Sequence, residues 1–165
     1  MNFFRKHRKW VSIFVLVAIV VASSVIAVNV LNPGGAEACR DQGCNIVFWK
    51  DHTTKWVGHN PSDTLITLFS EADKFHLGDS ILISALGNNW NYCDNTPAEK
   101  AAKALLKEGI AARLNVSNPA IDYHVSGGHV TQIVNDALAS GNIVTMESTQ
   151  NLLHSWNNAG CPLNP

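Results

Sequence analysis

Strand-forming runs are scarce in this chain. The one segment with β character, Ile143-Val144-Thr145, is too short to carry a sheet, which excludes a β-rich fold. No Gly-x-Ser-x-Gly elbow is present, so the usual route to an exposed nucleophilic serine is missing. No Cys-x-x-Cys pair occurs, which argues against a dithiol redox centre. No two histidines stand four apart, the spacing that places two zinc ligands on one helical face. Asp73, Asp79 and Asp94 fall in polar loops, but none sits at an EF-hand spacing, so capping and solvation account for them. There is no internal repeat and no low-complexity tract. Beyond the first ten residues there is no basic patch, which argues against nucleic acid as a partner. These absences leave no cofactor to expect.

What is present begins with a basic tip. Arg5, Lys6, Arg8 and Lys9 precede Val11 to Leu31, a run of 21 residues without a charge. A helix of that length crosses about 30 Å of hydrocarbon. The basic flank keeps residues 1–10 in the cytoplasm and sends the rest outside. A cleaved signal usually has a shorter apolar stretch, roughly 7–15 residues, which favours a retained anchor. Ala36-Glu37-Ala38 nevertheless has the small-x-small form of a cleavage site, so secretion after cleavage at Ala38 is the alternative. The expected organisation is a cytoplasmic tip at 1–10, a transmembrane anchor or signal segment at 11–31, a linker at 32–38 and an extracytoplasmic domain at 39–165.

Residues 39–165 suffice for one domain with a real core. They carry eight Lys or Arg against twelve Asp or Glu, a formal charge of −4. All four cysteines, Cys39, Cys44, Cys93 and Cys161, lie here. An even number in an exported chain implies disulfides, and four cysteines allow three pairings. Asn115-Val116-Ser117 fits a glycosylation acceptor, which makes Asn115 a candidate modification site.

Helical signals dominate. Thr96-Pro97-Ala98-Glu99 is a capping box with proline at the first helical position. The helix it opens runs to Asn118-Pro119. Its spacing sets Ala98, Ala102, Leu105, Leu106, Gly109 and Ala112 along one stripe and leaves Lys100, Lys103 and Lys107 on the other side. A second helix spans about Gly128 to Ser140, with Val130, Ile133, Val134, Ala137 and Leu138 inward and Gly141 as its cap. A third runs from about Thr145 to Ala159, with Leu152, Leu153 and Trp156 facing in. Shorter segments are expected at Thr64–Phe69, capped by Ser62 or Asp63, and at Ser80–Leu86, capped by Asp79. The fold class expected is all-α: a small disulfide-stabilised bundle of five or six mostly short helices, preceded by one transmembrane or signal helix.

One set of residues carries a resemblance. Gly43, Cys44, Phe48, Trp49, Lys50, His52, Trp56, Asp63, Thr64 and Leu65 open it. Ala111, Ala112, Leu114 and Asn115 follow, then Asp122 and Tyr123, then Val130, Val134, Asn135, Ala137 and Leu138. Asn158, Ala159, Gly160, Cys161, Pro162 and Leu163 close it. In order and spacing this resembles an uncharacterised secreted, cell-surface domain of bacteria and archaea, over about Gly43 to Leu163. Two departures stand out: Asn45-Ile46-Val47 replaces a usual Thr-Pro-Gly, which reshapes the turn before the aromatic, and His124 stands where proline is common. The resemblance implies location and fold, with no established activity. It also implies that Cys44 pairs with Cys161, which leaves Cys39 for Cys93.

Trp49, Lys50, His52 and Trp56 admit two readings. In one, His52 is a base or metal ligand with Lys50 as an electrophilic partner. In the other, which is favoured, Trp49 lies in the core, Lys50 lies along an apolar surface, and His52 holds the turn by hydrogen bonding. Trp56, Trp90 and Trp156 are read as core or rim anchors. The histidines His52, His59, His76, His124, His129 and His154 are scattered, so no metal site is expected. The function expected is a membrane-anchored or secreted cell-surface domain with a structural, adhesive or partner-binding role. Its partners would be the membrane, through residues 11–31, and a cell-envelope polymer or surface protein. The alternatives are a metal-assisted envelope hydrolase using His52 and another histidine, and a carbohydrate-binding module built on exposed tryptophan.

Overall fold

The structure, a computed structural model, describes residues 42–90 and 96–163. The basic tip, the 11–31 segment, the linker, Cys39 and Cys93 lie outside the described residues. Among the described residues the fold is helical, with five α-helices, three 3-10 helices and no strand. The α-helices are α1 (Ile46–Asp51), α2 (Leu82–Leu86), α3 (Pro97–Ser117), α4 (Gly127–Ser140) and α5 (Ile143–Asn157). The 3-10 helices span Thr53–Lys55, Leu65–Thr67 and Ser70–Phe75, between α1 and α2. No described helix is long and apolar enough to cross a membrane.

Local chemistry sets the helix starts. Thr96 accepts from Glu99 N at 3.2 Å and Pro97 takes the first turn of α3. Ser126 accepts from His129 N at 3.3 Å to open α4. Gly141 closes α4 in the left-handed region, at φ 63°. Asn142 accepts from Val144 N and Thr145 N, at 2.9 and 3.2 Å. That cap turns Ile143-Val144-Thr145, the best strand signal in the chain, into the first turn of α5.

α3 is the centre of the bundle, packed by α1, α2, the Ser70–Phe75 helix, α4 and α5. Being surrounded, it buries more than the expected stripe: Ala101, Ile110, Ala111 and Leu114 are buried as well. Lys103 is therefore not on an outer face. It is only 8% exposed, pairs with buried Glu99 and lies over the Trp90 ring. Gly109 makes room for the packing, because a Cβ there would lie 2.9 Å from the fully buried Phe69 ring.

Three local expectations are corrected. Thr64–Phe69 is not one capped segment: it holds only the short 3-10 helix Leu65–Thr67, which has no side-chain cap, and the Asp63 carboxylate instead accepts from Asn60 N at 2.7 Å and closes the preceding turn. Asp79 caps nothing: α2 starts at Leu82 with Ile81 at its cap position and no side-chain cap. On α5, Leu152 is 44% exposed while Met146, Leu153 and Asn157 face in. Burial of Asn157 rotates the helix so that Leu152 turns to solvent.

Candidate functional site

The ends of the domain meet in a seam. Cys44 and Cys161 form a disulfide across a sequence separation of 117. Gly43 N donates to Gly160 O at 3.0 Å. A Cβ on Gly43 would sit 2.2 Å from the Trp156 carbonyl oxygen, so only glycine lets the backbone here run this close to α5. Gln42 adds two bonds, its N donating to Asp122 O at 3.3 Å and its Oε1 accepting from Asp122 N at 3.0 Å.

Under the seam lies a buried polar network centred on Asn115. Its Oδ1 accepts from Cys44 N at 2.8 Å and from the Trp49 indole at 3.0 Å. Its Nδ2 donates to Cys44 O and to Asn157 Oδ1, both at 2.9 Å. Every hydrogen-bonding position of the amide is used, and the partners fix which end is nitrogen. Asn157 continues the network. Its Oδ1 also accepts from the Tyr123 hydroxyl at 2.7 Å, and its Nδ2 donates to Glu108 O at 3.0 Å and Glu108 Oε2 at 2.7 Å. The other Glu108 oxygen accepts from His154 Nδ1 at 2.7 Å. Burial, and then the Glu108 charge, push the Tyr123 hydroxyl far above the ordinary tyrosine range. Tyr123 therefore stays a donor to Asn157.

The sequence-predicted residues fall around this network. Trp49 is fully buried. Trp56 is half-buried and donates from its indole to Trp49 O at 2.9 Å. His52 closes α1: its ring stacks on Phe48 with centroids 4.4 Å apart, and its Nδ1 donates to Phe48 O at 2.8 Å. Lys50 is exposed and pairs with Asp51 at 3.4 Å. Asn45, in the departed turn, caps α1 by accepting from Phe48 N at 3.0 Å. Asn115 cannot serve as a glycan acceptor in the folded domain, because its amide is fully buried and bonded on all sides. Cys39 and Cys93 lie outside the described residues.

Among the described residues no group of three or more His, Cys, Asp or Glu could hold a metal, and His52 belongs to none. A cleft of about 250 Å³ opens beside the seam, lined by Gln42, His124, Ser155, Trp156 and Ala159. The His124 and Trp156 rings stand 5.3 Å apart at 45° and form its aromatic corner. Glu108 and Asn157 were not singled out from sequence. The available signal was that Glu108 and Asn115, seven apart, share a face of α3 with Leu105 and Ala112. Polar residues on a buried stripe mark a network without revealing its partners. No protein-family model, curated protein or solved structure matches this chain.

Proposed function

We propose that this chain is a membrane-anchored or secreted envelope module that binds a partner without catalysing a reaction on it. One observation carries the reading. Trp49, Asn115 and Tyr123, which stand in the recurring sequence pattern, point inward and are spent on one hydrogen-bond network that closes the domain. Groups committed to buried bonds of this kind are unavailable to a substrate. The hydrolase alternative rests on His52, whose Nδ1 is occupied by a backbone carbonyl and whose ring face is covered by Phe48.

The cleft favours carbohydrate as the partner class. A half-buried indole beside an exposed imidazole offers a flat apolar face, and Gln42 and Ser155 supply polar groups at its rim. Such a combination suits the apolar face and hydroxyl edge of a sugar ring. The test is co-sedimentation of the full-length chain, held in detergent micelles, with insoluble peptidoglycan, chitin and cellulose. Trp156→Ala should abolish sedimentation with the polymer that retains the wild type, while the variant still melts in one cooperative transition. Absence of binding to all three, or equal binding by the variant, overturns the carbohydrate reading.

A further inference from the structure

We propose that the cleft beside the seam selects an N-acetylated amino sugar, whose acetamido group is read by Gln42, Ser155, Trp156 and Ala159. This inference rests on the carbohydrate reading of the cleft and names the class of sugar it takes. The cleft volume is about 250 Å³. Pockets that enclose a drug-sized ligand hold roughly 300–1,000 Å³, so this one suits a single ring with its substituent.

Two polar groups of the lining have fixed and opposite roles. Gln42 Oε1 accepts from Asp122 N at 3.0 Å, which settles which end of the amide is oxygen. Gln42 Nε2 is then a donor with two N–H groups and no partner among the described residues. The residue is held by its backbone, Gln42 N donating to Asp122 O at 3.3 Å and Gly43 N to Gly160 O at 3.0 Å. Ser155 Oγ uses its single hydrogen on Leu152 O at 2.7 Å, so what it offers a ligand is an acceptor. Donor and acceptor come from different segments, the backbone leading into α1 and the exposed side of α5.

An acetamido group carries the matching pair. Its carbonyl accepts from Gln42 Nε2, its N–H donates to Ser155 Oγ, and its methyl packs on the Trp156 indole and Ala159. A bare hydroxyl brings donor and acceptor on one atom and has no methyl for the apolar wall. A free amine has no carbonyl and sets one donor against another at Gln42. Charge excludes the acidic sugars. The lining holds no lysine or arginine, and residues 39–165 carry a formal charge of −4. A carboxylate or phosphate on the ring therefore finds no permanent cation there, which leaves a neutral substituent.

The test is co-sedimentation of the full-length chain, in a detergent without a sugar head group, with peptidoglycan, chitin, deacetylated chitin and cellulose. High salt screens the attraction of the cationic deacetylated polymer for an acidic domain. The N-acetylated polymers should retain the chain about tenfold or more better than the other two, the loss expected for a missing hydrogen bond. Soluble tri-N-acetylchitotriose should release it, and cellotriose should not. Gln42→Glu keeps an acceptor for Asp122 N but replaces the donor with oxygen. It should weaken retention about tenfold or more while still melting in one cooperative transition. Ser155→Ala, which leaves the seam bonds intact, should weaken retention about threefold to tenfold and decides the matter if the glutamate variant fails to fold. Equal retention on chitin and cellulose overturns the N-acetyl assignment and leaves the carbohydrate reading standing. Retention on none of the four polymers overturns both. Undiminished retention of both variants overturns the assignment to Gln42 and Ser155.

Discussion

The Trp49 indole donates to the Asn115 side-chain oxygen at 3.0 Å, joining residues 66 positions apart. The same oxygen receives the Cys44 backbone N–H, so one amide couples the first helix, the disulfide and the central helix. From there Asn157 carries the connection to the last helix.

Asn115→Asp is the sharpest probe of that coupling. It preserves shape but sets an oxygen against Cys44 O and Asn157 Oδ1, both acceptors at 2.9 Å. A charge or an unmatched acceptor would be buried in either protonation state. A loss of about 3 kcal/mol or more is expected in urea denaturation, the sum of unsatisfied groups at a buried site. A variant as stable as the wild type would show that the network contributes little.

Reduction of Cys44–Cys161 should lower stability strongly. The bond closes a sequence separation of 117, and the chain-entropy account gives about 4–5 kcal/mol for loops near that length. Melting curves of Cys44→Ala/Cys161→Ala should show the loss. Unchanged melting would mean that the seam hydrogen bonds alone hold the ends.

The pH dependence of stability should carry a signature of His59. Its pKa is lowered in the folded state from the ordinary 6.5. On acidification the unfolded chain therefore takes up a proton first, so stability falls as pH drops below about 6.5 and levels off below the folded value. His59→Gln should remove that part of the slope in melting curves. An identical slope in the variant would assign the effect elsewhere.

Much of the helix pattern was legible because its causes are local. Thr96 satisfies an N–H group three residues away and Gly141 adopts a conformation that glycine tolerates, whereas the Asn142 cap, which starts α5 at Ile143 and not at the expected Thr145, was missed. The burial of Lys103 was not legible, since nothing in a helical stripe says that other elements will cover its second side. The seam network was hidden for the same reason. Glu108 and Asn157 are 49 positions apart, and their pairing depends on the register of α5 against α3. Leu152 shows how little separates two registers: it was expected inside and stands exposed, while Leu153 beside it is fully buried. His59 and Ser117, 58 positions apart, meet only once the loop after α1 is folded onto α3.

The central claim is that the Trp49 motif holds the domain together and is not a recognition surface. Thermal denaturation of Trp49→Ala in the full-length chain tests it most directly. The indole is fully buried, so its removal should destabilise the fold by about 3–5 kcal/mol, with a correspondingly lower melting temperature. A melting temperature equal to that of the wild type would contradict the account and return the motif to the candidate contact residues.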